Sequence, residues 1–269
     1  MIFNFDESHV IHYEIFGEGQ PLLMLNGIMM STESWSAFTK QLANNHQLIL
    51  VDFLDQGKSS NYETPYEQAL QVKVVIALLD HLKLTKVNVF GISYGGEIAL
   101  QVAANYPSRV NRLLLVNTCI ETTYWLEEIG NAWNQAIGDP LAYYLTSIPY
   151  IYSLEFFSKN RQWVEARKQQ LLPVFASEQF GNRMRRLTNS AVGYSLVNEV
   201  EKITQPTLII GCEDDFITPL KQQQELNKLL INSELVIIPN SGHAIMYEKP
   251  NVFAMLILGF LHLQEDIVI

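Results

Sequence analysis

Lys86-Val87-Asn88-Val89-Phe90-Gly91-Ile92-Ser93-Tyr94-Gly95-Gly96-Glu97-Ile98-Ala99-Leu100-Gln101-Val102-Ala103 is the stretch on which the reading turns. Its first five residues have the composition of a buried strand, and those from Tyr94 onward have that of a helix. Gly91-x-Ser93-x-Gly95 therefore falls where the chain must bend sharply from sheet to helix. A serine on such a bend sits in a strained backbone conformation with its hydroxyl exposed. A Cβ at either flanking glycine is expected to strike the neighbouring strand or helix. The helix beneath the serine starts with free N–H groups aimed at any negative charge that develops there.

Outward from this bend, the chain alternates. Strands are expected at Met1–Phe5, Val10–Phe16, Leu22–Leu25, Gln47–Val51, Arg112–Asn117, Thr207–Ile210 and Leu235–Ile238. Continuous apolar runs such as Leu22-Leu23-Met24-Leu25 mark strands buried on both faces. Helical periodicity covers about 34–44, 66–82 and 251–263. Buried strands alternating with helices predict a mostly parallel sheet of about eight strands with helices on both faces. In such sheets ligands bind beyond the carboxyl ends of the strands, where Ser93 lies.

The alternation stops between about Ile120 and Ile203. This stretch reads as helical, is rich in aromatic residues and contains no convincing buried strand. It is expected to form a helical cap (120–203) inserted after the sixth strand, over a core made of 1–119 and 204–269. Trp125, Trp133 and Tyr144 are the cap residues expected to wall an apolar pocket.

The 269 residues carry a formal charge of −10, which argues against nucleic acid as a partner. The N-terminus lacks a basic region followed by an apolar core, and no apolar run reaches the roughly 18–20 residues of a membrane span. Two cysteines, Cys119 and Cys212, make no disulfide framework; each follows a strand and is read as a reduced, buried thiol, close to the other. These features predict a cytoplasmic protein. Arg183, Arg185 and Arg186 are read as a solvated helix face with acidic neighbours. No spacing of His, Cys and acids suggests a metal, no Gly-rich loop matches a nucleotide fingerprint, and no cofactor is expected.

A serine hydroxyl needs a base to become a nucleophile, and the base needs a carboxylate to orient it. Of six histidines, His9, His12, His46, His81 and His262 fall in a hairpin, before a strand or on helices. His243 instead follows Pro239-Asn240-Ser241-Gly242, a loop leaving the last strand on the same rim as Ser93. The loop after the Thr207 strand reads Gly211-Cys212-Glu213-Asp214-Asp215-Phe216-Ile217-Thr218-Pro219. Asp214 and Asp215 point different ways in an extended chain, so one of them should face the histidine.

The order of serine, acid and histidine, together with these three motifs, resembles the α/β-hydrolase superfamily over essentially the whole chain. In similar proteins the acid lies four residues before the proline, which implies Asp215. The resemblance further implies an oxyanion hole made by the N–H groups of Tyr94 and Ile28, with Met29 less favoured and both Asn26 and Met29 near the substrate. The chain departs from the common pattern at Asn26-Gly27, where relatives carry a structural histidine before the glycine, and at Asp55, where they often carry glycine. The Asn-Gly form also resembles, in two short motif variants alone, a branch that joins 3-hydroxyacyl chains into glycolipid precursors.

The expectation is a capped serine hydrolase acting on an ester, thioester or similar acyl bond of an apolar small molecule. Acyl transfer, carbon–carbon bond hydrolysis and a binding receptor with a vestigial site are its rivals. A serine nucleophile disfavours the dehalogenases and epoxide hydrolases of the same fold.

Overall fold

The computed structural model describes residues 1–262. Strands β1 (Ile2–Asn4), β2 (Val10–Phe16) and β3 (Gln20–Leu25) lead to helix α1 (Ser36–Leu42) and strand β4 (His46–Val51). Helix α2 (Ala69–His81), strand β5 (Val87–Ile92), helix α3 (Tyr94–Asn105) and strand β6 (Val110–Val116) follow. Five consecutive helices come next: α4 (Tyr124–Ala136), α5 (Pro140–Ile151), α6 (Leu154–Lys159), α7 (Arg161–Phe175) and α8 (Glu178–Ser190). Strand β7 (Thr207–Cys212), helix α9 (Leu220–Leu229), strand β8 (Ser233–Ile238) and helices α10 (Ile245–Glu248) and α11 (Pro250–His262) complete the described chain.

Among the described residues the strands form one sheet in the order β1-β2-β4-β3-β5-β6-β7-β8. β1 and β2 pair antiparallel, as do β2 and β4, and every later pairing is parallel. Successive side chains of each strand point to opposite faces of the sheet, so the apolar runs feed two layers. Leu23, Leu25, Val89, Leu113, Leu115 and Ile209 face one layer, where Val74, Leu78, Ile98 and Val102 of α2 and α3 cover them. Leu22, Met24, Leu48, Phe90, Leu114 and Ile210 face the other, under Phe38 and Leu42 of α1 and Phe253 and Ile257 of α11. Each such side chain contributes about 1.5–3 kcal/mol when fully buried. On the second face Trp35 sits edge-on to Phe90, at 5.4 Å between ring centres, and stacks with Phe253 at 6.3 Å.

The structure sharpens several expected boundaries. The helix expected at 66–82 begins at Ala69, and the side chain of Gln68 just before it bonds Glu97 and Gln101. β5 and β7 each run two residues past their expected ends, and β6 starts two residues early. A one-turn helix, α10, precedes the last helix and begins two residues after His243. The expected end of that last helix at Leu263 lies outside the described residues.

Three of the five helices between β6 and β7, α5, α6 and α8, start at a side-chain cap. The Asp139 carboxylate accepts N–H bonds from Leu141 and Ala142 ahead of Pro140, and Ser153 and Ser177 accept from Phe156 and Phe180. Within this insertion the only bridge of strand type among the described residues joins Glu121 to Ser195. Its interior is aromatic: Tyr143, Phe175 and Phe180 pack with ring centres 4.9–5.4 Å apart. No helix among the described residues is long and apolar enough to cross a membrane.

Candidate functional site

Ser93 caps α3 with φ 53° and ψ −124°, a conformation costing on the order of 1–3 kcal/mol that the surroundings enforce. A Cβ on Gly91 would lie 2.4 Å from the carbonyl oxygen of Gly95, and one on Gly95 would lie 2.3 Å from that of Leu25. The bend thus closes only with glycine at both places. Ser93 N–H donates to Val116 O on β6, and Thr118 Oγ1 donates to Ser93 O. The residue is held from both sides of the chain.

Asp215 leaves the end of β7 with its side chain fully buried. Oδ1 accepts the N–H groups of Ile217 (2.8 Å) and Thr218 (2.9 Å), and Oδ2 accepts the Thr218 hydroxyl (3.0 Å). That leaves Oδ2 facing Nδ1 of His243 at 2.8 Å. Asp214 is half-buried and uses its N–H on Ser241 O, and Glu213 is exposed and accepts from Asn240 N. The two adjacent aspartates therefore point apart, and Asp215 is the one that meets the ring.

The loop carrying His243 is fixed by side chains that sequence reading did not mark. Asn117, at φ 45° after β6, donates to His243 O (2.8 Å) and accepts from Cys212 N (3.1 Å). Glu248 accepts N–H bonds from Gly242 and Ser153 and the Ser153 hydroxyl, so it ties this loop to the start of α6. Thr218 lies against both Asp215 and His243 Nδ1. A buried asparagine or threonine next to a strand end was the available signal. The other five histidines are occupied elsewhere: His9 on Asp6, His12 on Asp52, His46 on Leu42 O and the ring of His262, and His81 on Tyr13.

Ser93 and His243 line one cavity of about 170 Å³, together with Gly27, Ile28, Met29 and Trp133. Ser93 Oγ and the ring share its wall without a hydrogen bond between them, a contact that is often long before substrate tightens it. Neither the Ile28 nor the Tyr94 N–H is used by another hydrogen bond among the described residues. The Ile28 loop is held by Gln56, whose amide donates to Gly27 O (2.9 Å) and Ile28 O (3.3 Å). A smaller cavity of about 60 Å³ lies beside the first and shares Ile28, Ser93 and Trp133 with it.

Three residues expected near the substrate lie away from this cavity. Asn26 is fully buried beneath it: Oδ1 accepts Trp35 Nε1 (2.7 Å), and Nδ2 donates to Val51 O (2.8 Å) and Gln56 Oε1 (3.2 Å). Its amide joins β4, Gln56 and Trp35, so its polar atoms are consumed by the scaffold. Trp125 is half exposed, with Nε1 donating to Phe216 O. Tyr144 turns toward α7, where Lys168 Nζ stands 5.2 Å from its ring centre. Trp133, by contrast, does line the cavity.

Glu97, one turn into α3, is buried beneath the nucleophile bend and lines the smaller cavity. Burial pushes its carboxyl up to about 7, against the opposing pull of bonds from Gln68 and Cys119 and of nearby His243. Cys119 donates to it at 3.3 Å, while Cys212 receives the Asn117 amide and packs in the other layer. The two thiols are thus free, buried and engaged with different partners. The arginine cluster also divides. Arg186 grips Asp55 with two bonds (3.0 and 2.5 Å), and Arg183 bonds Asn61 and the carbonyls of Gly57 and Ser59. Asp55 stands at φ 67°, which explains why glycine suits that place in similar chains. Among the described residues no group of three His, Cys, Asp or Glu is arranged to hold a metal ion.

A nucleophile at a strained bend, a ring base oriented by a buried carboxylate and two free N–H groups on one rim can together carry out acyl transfer chemistry. Comparison with known proteins agrees in architecture. A family model described as alpha/beta hydrolase fold matches residues 20–250. The crystal structure of MGS-M2, an alpha/beta hydrolase enzyme from a Medee basin deep-sea metagenome library, is 44% identical with a TM-score of 0.97; the match covers 100% of this chain and 99% of that one. A poly(3-hydroxyalkanoate) depolymerase of Ectopseudomonas oleovorans is 29% identical over 91% of this chain and 86% of its own. A protein of Bacillus subtilis (strain 168), provisionally assigned as a 2-succinyl-6-hydroxy-2,4-cyclohexadiene-1-carboxylate synthase, is 28% identical over 96% of this chain and 97% of its own.

Proposed function

We propose that this chain, which belongs to the α/β-hydrolase family, is a serine hydrolase that cleaves an ester, thioester or related acyl bond of a largely apolar small molecule. The observation that carries the reading is the pairing of Ser93, at φ 53° on its bend, with a His243 ring that faces the same cavity and is bonded to Asp215 at 2.8 Å. The apolar lining from Met29, Met30, Ile148, Ile151 and Val174 supports an apolar substrate body. The likeness to a hydrolase at 44% identity and to a polyester depolymerase at 29% supports the reaction class.

In this mechanism Ser93 Oγ attacks the carbonyl carbon as His243 Nε2 takes its proton. Asp215 keeps the other ring nitrogen protonated and stabilises the charged ring. The N–H groups of Tyr94 and Ile28 receive the oxyanion, worth roughly 3 kcal/mol each. The ring then gives its proton to the leaving alcohol or thiol, and water, activated by the same ring, releases the acyl group. Residues 120–203 act as the cap that closes the cavity over the strand ends, on a core of 1–119 and 204–269. Free buried cysteines suit a reducing compartment, and we assign the protein to the cytoplasm.

Labelling by a fluorophosphonate probe, with hydrolysis of a short acyl ester in parallel, tests the assignment. Ser93→Ala is expected to abolish labelling and lower the hydrolysis rate by about 10⁴-fold or more. Undiminished labelling of that variant would move the nucleophile elsewhere.

A further inference from the structure

We infer that Arg167 makes this site selective for substrates whose acyl part ends in a carboxylate, such as monoesters of short dicarboxylic acids. The inference rests on the reading of Ser93 and His243 as the reacting pair and adds the chemistry of the far end of the substrate.

Arg167 reaches inward from α7 and lines the same cavity as Ser93 and His243. It is the one permanently charged side chain among the residues lining that cavity, whose other walls are mostly apolar. Its guanidinium carbon stands 5.7 Å from the ring centre of Tyr247, and it draws down the Tyr152 hydroxyl, which burial pushes up. Both tyrosines also line the cavity.

Among the described residues no carboxylate pairs with Arg167, and its buried Nε has no hydrogen-bond partner. The acids that could have served are committed. Glu248 is spent on Ser153 and Gly242, and Glu165 on Gln169. Arg109 and Arg186, by contrast, hold the carboxylates of Asp80 and Asp55, and Arg183 has its fork filled by Asn61 and two carbonyls. Arg167 is partly buried with its Nε enclosed, so a cation there without a counter-charge carries a desolvation cost that an entering anion reduces. The flat fork of a guanidinium matches a carboxylate, and two aromatic rings beside it keep it in place.

Size narrows the class. A cavity of about 150 Å³ accepts a benzene-sized body, so about 170 Å³ takes an acyl part of roughly six to eight heavy atoms. With one carboxyl carbon at Ser93 and the other at Arg167, a short aliphatic spacer meets the apolar wall between them. Hydrolysis breaks the ester C–O bond, the alcohol leaves with the proton from His243, and the product is the free dicarboxylate.

The test compares monoethyl succinate, glutarate and adipate with neutral ethyl keto-esters of the same shape, in which a methyl ketone replaces the carboxylate. Wild-type kcat/KM is expected to favour the best monoester by about tenfold or more, mainly through KM. Arg167→Met is expected to bring that ratio to about one, and Arg167→Lys to retain part of it, with circular dichroism and Tm showing that both are folded. A wild-type ratio near one, or a ratio that survives Arg167→Met, overturns the inference and leaves the catalytic reading standing. Calorimetric titration with glutarate reads Arg167 without turnover. Binding by the wild type that Arg167→Met abolishes supports the anion site even where no ester is cleaved, and in that case the reading of Ser93 is what fails. No heat from glutarate in the wild type counts against Arg167.

Discussion

The rim of the sheet and the helical insertion above it are built by different physics. At the rim, position is set by backbone and by buried polar side chains with fixed partners: Asp215 on two N–H groups and a hydroxyl, Asn117 between β7 and the His243 loop, Gln56 under Ile28. The insertion relies on aromatic packing and touches the rim through a few polar contacts, chiefly Arg186 on Asp55, Glu248 on Ser153 and Tyr94 on Ser190. Buried hydrogen bonds are directional and hold a reacting atom to a fraction of an ångström, whereas packed rings tolerate rearrangement. Under the proposed function, chemistry would belong to the first region and choice of substrate to the second.

Substitutions separate these roles. Asp215→Asn strikes the rim at its centre; kcat is expected to fall about 10⁴-fold, because the ring loses its orienting charge and the correct tautomer, while Tm changes little. A small rate effect with a large loss of Tm would erase the division. Arg186→Met cuts a contact between the regions and leaves the fully buried Asp55 carboxylate without its cation. Denaturant titration should show a loss of about 3 kcal/mol, with kcat on the acyl-enzyme step less affected than KM. Unchanged stability would mean that the rings alone hold the insertion.

The smallest effect comes from Glu97, which bonds Gln68 and Cys119 and lines the smaller cavity shared by rim and insertion. Its carboxyl is held near 7 in the fold against an ordinary 4.5, so the folded state binds the proton more tightly. That stabilisation is complete below about pH 4.5 and is lost as pH rises toward 7, on the order of 3 kcal/mol at most. Glu97→Gln, which does not ionise, should therefore show a flatter Tm between pH 5 and 8 than the wild type. Parallel profiles would place the titration elsewhere.

The rim was readable from the chain because its parts are written in short, stereochemically demanding words. Gly91 and Gly95 fit because a Cβ meets backbone there, and the alternation of strands locates Ser93, Asp215 and His243 at one end of the sheet. The choice between Asp214 and Asp215 needed the resemblance, since both orientations suit an extended loop. The pocket wall was much less legible. Trp133 turns inward and Trp125 outward, although both sit on α4 with the same residue type. Arg167 reads in sequence as one more cation on a polar helix, and only the tertiary docking of α7 turns it inward. Glu97 looked like an ordinary residue of a first helical turn until the packing of Gln68 and Cys119 sealed it.

Glu248 has a mechanical consequence. One carboxylate holds both the Gly242 N–H, next to His243, and the Ser153 hydroxyl and N–H at the head of α6. Any displacement of α6 would therefore strain bonds that also anchor the loop of His243. Under the proposed function, the seating of α6 and the placing of the imidazole would thus share one tether, and whatever disturbs the first would be felt by the second.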